Sequence, residues 1–191
     1  IGATHSNGKY HLTEDDFLNE GAEQLSTLGT NVIKVWLHRI TEKYPYNSDW
    51  DRPFNSLTEV AKSSYVQELF DRPFSTYVLL AHSRAWGKWL DFQSGMTDRE
   101  ARSVRRRFEE LTRHLLSTYD GTGKTFVLQH WEGDNLAQED STAPLPDSIA
   151  DRFRRWLTAR QEGVERARDS VESDVTVLHA PEVNFVLDAK H

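Results

Sequence analysis

The segment with the clearest potential for chemistry runs from Gln129 to Asp134 and reads Gln-His-Trp-Glu-Gly-Asp. Its Glu132 follows a predicted buried strand and has an indole and an imidazole as chain neighbours. Surroundings of this kind keep water away from a carboxyl group, which raises its pKa and lets it hold a proton near neutral pH. Glu132 is therefore the predicted general acid, and Asp134 is a further carboxylate in the same turn.

A second carboxylate follows the fifth predicted strand, at Glu182. We expect Glu182 to be the second catalytic group, because besides Asp134 it is the only carboxylate comparably placed just past a predicted strand. Asn184 lies two residues further on and could bind substrate hydroxyls. The structural alternative is that Glu182 occupies the first turn of a helix, where a negative charge suits the helix dipole, and that Asp134 fixes its loop.

Histidine and tryptophan gather at the predicted carboxyl ends of the strands. Five of the eight histidines fall there, one for each strand, and five of the six tryptophans lie at strand ends or in the loops that follow. Aromatic rings pack on the C–H faces of a sugar, while imidazole, amide and carboxylate groups bind its hydroxyls. For any single residue, capping the core or fastening a loop is the alternative role. The predicted substrate-binding residues are His5, Trp36, His38, His82, Trp86, His130, Trp131, Asp134, His179 and Asn184.

The elements that must position these residues alternate between strand and helix. Short segments rich in β-branched and aromatic residues predict strands, and apolar residues at helical spacing predict helices between them. Strict alternation implies right-handed crossovers and a parallel sheet with helices outside, so the predicted fold class is α/β. The predicted strands cover 1–5, 32–38, 77–82, 126–131 and 175–179, and the predicted helices cover 13–28, 56–70, a segment from Thr97 to about 115, and 148–171.

Loop lengths predict where the site lies. The connections from strand to helix are long and those from helix to strand are short, which is typical of a fold with its site beyond the carboxyl ends of the strands. No glycine-rich phosphate loop follows the first strand, so we favour a TIM-type (β/α) barrel over a doubly wound sheet. Because a whole barrel takes about 250 residues, we expect an incomplete one with about five parallel strands and four to five helices. Residues 1–191 would form this single, partial catalytic domain.

Two segments resemble the glycoside hydrolases of the (β/α)8 superfamily. The aromatic turn that carries Glu132 matches the family's fourth strand end, and Asn31-Val32-Ile33-Lys34-Val35-Trp36-Leu37 is similar to the pattern of its second strand. The resemblance implies a hydrolase of O-glycosyl bonds in carbohydrate metabolism, with Glu132 as acid/base. The family's nucleophile comes from a seventh strand, which we do not expect in this truncated domain. Lys34 replaces the commoner Arg, and Trp131 replaces the usual Asn before the acid/base Glu.

Composition limits the possible partners. With 23 Lys and Arg against 30 Asp and Glu, the net charge of −7 opposes a nucleic-acid backbone. No run approaches the roughly 20 apolar residues that a membrane-spanning helix needs. The absence of Cys removes disulfides and thiol chemistry but assigns no compartment. We expect a carbohydrate substrate, no cofactor, no nucleic acid and no membrane, with self-association if an incomplete barrel leaves its edges unpaired.

Two other functions remain open at this stage. One is a metal-dependent hydrolase that uses the five strand-end histidines. The chain has no His-x-His pair on its first strand and no His-Glu-x-x-His helix, so no metal ligand is assigned. The other is a non-catalytic barrel that binds sugar on its aromatic platform.

Overall fold

The computed structural model describes residues 1–6, 12–50, 53–82, 96–131 and 146–182. Within these ranges, five strands form one sheet in which every neighbouring pair is parallel. The strands follow one another across the sheet in chain order, without a reversal. The predicted α/β class and parallel sheet are confirmed. The strands are β1 (Gly2–Thr4), β2 (Val32–Trp36), β3 (Thr76–Leu80), β4 (Thr125–Gln129) and β5 (Thr176–Ala180).

Six helices connect these strands in the described part of the chain. None of them is long and apolar enough to cross a membrane. The longest helix before β4 begins at Thr97 with the predicted capping box, in which Thr97 and Glu100 bind each other's backbone N–H. The helices are α1 (Phe17–Thr27), α2 (Ile40–Lys43), α3 (Leu57–Ala61), α4 (Ser64–Asp71), α5 (Asp98–Thr118) and α6 (Asp147–Arg168).

The region between β2 and β3 differs from the sequence prediction. The single helix expected over 56–70 is divided into α3 and α4. Lys62 is the C-cap of α3, and Ser63 adopts an extended backbone as the N-cap of α4. The Ser63 hydroxyl donates a hydrogen bond of 2.7 Å to the Val60 carbonyl. Serine competes for backbone partners in this way at helix ends. The short helix α2 was not predicted.

The helices cover one face of the sheet. On β2, Ile33 and Val35 are fully buried under the helices, while Lys34 and Trp36 on the other face are only partly buried. β4 alternates in the same way. On β3, Val78 is only partly buried although the strand is an apolar run, so the helices do not cover both faces of this strand. We call the less covered side the open face; it carries Val32, Lys34, Trp36, Val78, Leu80, Val127, Gln129 and Leu178.

An ion pair crosses the open face from β2 to the end of β5. The Lys34 ammonium on β2 lies 3.1 Å from a carboxylate oxygen of Glu182, which follows β5. Neighbouring strands lie about 4.8 Å apart, so these two side chains together span three strand spacings.

Candidate functional site

A cavity of about 360 Å³ opens at the carboxyl ends of the first four strands. We call it the strand-end cavity. It brings together four of the residues that the sequence predicts for substrate binding, namely Trp36, His38, His82 and Trp131. The other side chains that line it are Ser6, Arg39, Lys43 and Leu80.

Two indoles frame the cavity. The ring of Trp36, at the end of β2, lies 5.3 Å from the ring of Trp131, which follows β4, and the two planes are inclined by 39°. Trp131 is 39% exposed although its ring is large and apolar. The Lys43 ammonium is 5.3 Å from the Trp36 ring centre, and that of Lys34 is 5.5 Å from the Trp131 ring centre. The pair offers ring surface to a ligand with C–H faces, with cations beside each ring.

The two histidines of the cavity are held neutral. Their rings lie 5.3 Å apart. Burial lowers the pKa of His38 to about 4, helped by the positive charge of Arg39. Burial lowers the pKa of His82 to about 2, with the guanidinium of Arg160 as the second cause. A neutral imidazole has one donor and one acceptor nitrogen, which suits hydroxyl groups better than anions.

Glu182 lies on the open face of the sheet. Its ion-pair partner Lys34 also contacts the indole of Trp131, with the ammonium 5.5 Å from the ring centre. The side chains of Lys34 and Glu182 are 20% and 19% exposed. The Glu182 backbone N–H also donates a hydrogen bond of 3.2 Å to Nε2 of His130. Glu182 is thus fixed at its carboxylate by one strand and at its backbone by another.

His5, His130 and His179 lie on the opposite, helix-covered side of the sheet. His5 Nε2 donates a hydrogen bond of 2.9 Å to the Phe17 carbonyl, at the start of α1. The ring of His130 packs 5.1 Å from that of Trp156 on α6. The structure therefore does not bring these three predicted substrate-binding residues into the strand-end cavity.

A fully buried arginine organises the helix side. Arg160 on α6 has no exposed surface, and its guanidinium lies 4.3 Å from the ring of Phe108 and 4.5 Å from that of Trp156. It donates hydrogen bonds of 2.9 Å to Nε2 of His179 and 2.8 Å to the Ala81 carbonyl. No carboxylate forms an ion pair with it in the part of the chain that is described. Burial lowers the pKa of Arg160 well below its ordinary value.

The Arg160 contact fixes the tautomer of His179. Because Nε2 accepts a hydrogen bond from the Arg160 Nε–H, Nδ1 carries the ring hydrogen and donates to the Gln161 side-chain oxygen at 3.2 Å. Burial, followed by the charge of Arg160, lowers the pKa values of His130 and His179 to about 3. These groups are hydrogen-bonded components of the core.

A tyrosine hydroxyl separates β1 from β2 at their carboxyl ends. The His5 N–H still donates directly to the Lys34 carbonyl, at 2.9 Å. At the next position, the Tyr44 hydroxyl accepts from the Trp36 N–H at 3.0 Å and donates to the His5 carbonyl at 2.8 Å. The hydroxyl therefore takes the place of a direct backbone hydrogen bond. Burial raises the pKa of Tyr44, so the phenol keeps its proton.

Four predicted site residues fall outside the described ranges: Trp86, Glu132, Asp134 and Asn184. Their roles stay predictions. Among the described residues, no group of three His, Asp or Glu side chains is close enough to hold a metal ion. The strand-end histidines also divide between two faces of the sheet, so the described part offers no support for a histidine metal centre.

The sequence prediction missed the charged side chains in and beside the cavity. Lys34 and Trp36 on β2, and His38 just after it, occupy every second position, so alternation could have placed all three on one face. Lys43 and Arg39 had no comparable signal, because they belong to the unpredicted helix α2 and its N-cap.

Comparison of the chain with protein-family models, curated proteins and solved structures gives no match. The resemblance to glycoside hydrolases therefore rests on the sequence motifs alone. The cavity and its side chains carry the functional argument.

Proposed function

We propose that the chain is a glycoside hydrolase-like protein whose sugar-binding site is the strand-end cavity. The observation that carries this proposal is the pair of tilted indoles, Trp36 and Trp131, around a cavity of about 360 Å³. That volume is within the range of small-ligand sites, about 300 to 1,000 Å³. The neutral imidazoles of His38 and His82 supply hydrogen-bonding groups for sugar hydroxyls.

The proposal includes a (β/α) barrel as the scaffold. A doubly wound sheet changes the direction of its strand order at a switch point. The five described strands keep one direction, which supports a barrel arc. In such a scaffold the catalytic groups come from the carboxyl ends of several strands, which is where the cavity lies.

We assign Glu132 as the general acid and Glu182 as the second carboxylate. Glu132 follows Trp131 directly in the sequence, and the Trp131 ring lines the cavity. In the proposed reaction, Glu132 gives its proton to the glycosidic oxygen as the bond to the anomeric carbon breaks. In the same step, one alternative is that Glu182 attacks that carbon; a water deprotonated by Glu132 then cleaves the resulting ester and releases the sugar. The other alternative is that Glu182 takes a proton from a water that attacks the carbon directly. The Lys34 ammonium, 3.1 Å from Glu182, orients this carboxylate.

Hydrolysis of aryl glycosides tests the assignment. The 191-residue chain is incubated with a panel of α- and β-linked nitrophenyl sugars, together with the variants Glu132→Gln and Glu182→Gln. We expect each variant to lose about 10²- to 10⁴-fold in turnover, the usual contribution of acid–base catalysis. Glu172→Gln, which changes an exposed carboxylate before β5, is the matched control and should leave turnover unchanged.

The other outcomes are distinct. Unchanged turnover in Glu132→Gln removes this residue from the chemistry. Binding of oligosaccharides without cleavage in any variant assigns the protein as a sugar-binding barrel. Loss of activity on chelation with EDTA favours the metal-dependent hydrolase.

A further inference from the structure

Among the described residues, the lining of the strand-end cavity has an excess of positive charge, although the whole chain is acidic. The chain has a net charge of −7. The described residues that line the cavity include two cations, Arg39 and Lys43, and no carboxylate. A local excess of positive charge in an acidic protein raises the local concentration of anions.

Two of the nearby cations are neutralised by carboxylates of the chain. Arg39 forms an ion pair with Glu42, three residues further along. Lys34 forms an ion pair with Glu182 at 3.1 Å. Neither pair contributes a net charge to the cavity.

Two other cations are not neutralised within the described ranges. Lys43 lies against the Trp36 ring, 5.3 Å from its centre, and forms no ion pair there. Arg160 is buried on the helix side and donates a hydrogen bond of 2.8 Å to the carbonyl of Ala81, the residue before His82 in the cavity lining. Its two hydrogen-bond acceptors are an imidazole and a carbonyl, which do not cancel its charge.

We propose that the strand-end cavity binds a sugar that carries a negatively charged substituent, a carboxylate or a sulfate, with Lys43 as its counter-ion. The geometry suits such a ligand because the ammonium of Lys43 lies beside the aromatic ring of Trp36. The C–H face of the sugar packs on the indole of Trp36 while the anionic group meets the ammonium of Lys43. Arg160 adds a positive potential from behind His82. This inference rests on the proposed function.

Paired ligands test the charge preference without altering the protein. Trigalacturonate and its fully methyl-esterified form have the same ring skeleton but differ in charge, and a sulfated trisaccharide gives the second anionic arm. Affinities are measured by tryptophan fluorescence and calorimetry. At about 50 mM salt we expect the preferred anionic sugar to bind roughly tenfold more tightly than the ester. This advantage should shrink at about 500 mM salt, where the screening length falls to a few ångströms.

A lysine variant identifies the counter-ion. Lys43→Met keeps an unbranched apolar side chain against Trp36 and removes the charge. We expect it to abolish the anionic preference, so that the anionic sugar and the ester bind this variant with affinities within about twofold of each other. Lys62→Met, at the exposed end of α3, is the matched control and should preserve the preference.

The results separate this inference from the proposed function. An ester that binds as tightly as both anionic sugars overturns the charge preference and leaves the sugar site standing. Failure of all three ligands to bind, with no turnover of neutral glycosides, overturns both. Preference for the sulfated ligand alone supports the inference and identifies sulfate as the anionic group.

Discussion

The strand-end histidines differ according to the face of the sheet on which they lie. His38 and His82 line the cavity. His5, His130 and His179 pack under the helices, where each has a hydrogen-bond partner. Burial lowers the pKa of all five. A depressed pKa therefore does not by itself distinguish a binding residue from a core residue here. Contact with Trp156 does not either, because the rings of both His82 and His130 lie near it, at 5.5 and 5.1 Å. Only the position in the lining of the strand-end cavity separates the two groups.

Acidification should have the largest effect on the free energy of unfolding, because it acts on the histidines of both groups. Each of these histidines has a folded pKa below its unfolded value of about 6.5, so the unfolded chain binds more protons between the two values. The stabilisation is complete above pH 6.5 and is lost as the pH falls toward the folded pKa values of about 2 to 4. The free energy of unfolding should fall by up to about 1.4 kcal/mol per pH unit for each histidine.

Urea unfolding at pH 7, 6 and 5 measures this slope above the range in which most carboxyl groups titrate. His130→Gln should reduce the slope by up to one proton, because it removes one of the buried imidazoles. A free energy of unfolding that stays constant from pH 7 to pH 5 would contradict the burial of neutral histidines.

Removal of the buried guanidinium tests the helix side alone. Arg160→Ala leaves a space between Phe108 and Trp156 and deprives His179 and the Ala81 carbonyl of their donor. We expect a loss of about 3 to 5 kcal/mol in the free energy of unfolding.

Arg166→Ala, at an exposed position of the same helix, is the control. Its effect should stay within about 0.5 kcal/mol. If both variants unfold at the same urea concentration, Arg160 does not organise the core.

A glycine substitution tests whether His5 is a packing residue. A Cβ atom at Gly21 on α1 would lie 2.4 Å from Cε1 of His5. Gly21→Ala should therefore destabilise the fold by about 1 to 3 kcal/mol, as overpacked cores do. In a His5→Ala background the same change should be neutral or slightly stabilising, because alanine favours a helix. Equal costs in both backgrounds would show that the imidazole does not limit this contact.

The smallest effect on stability is expected on the cavity side. Trp131 is 39% exposed but packs on Trp36, so Trp131→Ala should lower the free energy of unfolding by about 1 kcal/mol. Its affinity for a sugar ligand should fall by about fivefold or more, since one aromatic contact contributes about 1 kcal/mol. A large loss of stability without a loss of affinity would show that Trp131 is a core residue and does not bind the ligand.

The fold was more predictable from the sequence than the site. Apolar periodicity locates the strands and long helices because burial of one stripe or run is a local property of the sequence. The break between α3 and α4 at Ser63 escaped prediction because the apolar spacing continues across it.

The site was only partly predictable because a position at the end of a strand does not by itself identify the face on which the side chain lies. His38 shares its face with Trp36, two residues before it, whereas His130 shares its face with the buried Leu128. Period-two alternation within each strand carries this information. Lys43 could not be placed in this way, because its position depends on a loop and a short helix whose geometry is set by tertiary contacts.

The Tyr44 hydroxyl between β1 and β2 has a consequence for ligand entry. A phenol spacer keeps the two strand ends apart whether or not a ligand is present. Because the buried ring of Tyr44 holds this separation between the strand ends, ligand binding does not require the strands to move apart. The entropy lost on association is reduced by such preorganisation, so the free and occupied forms should share nearly the same backbone.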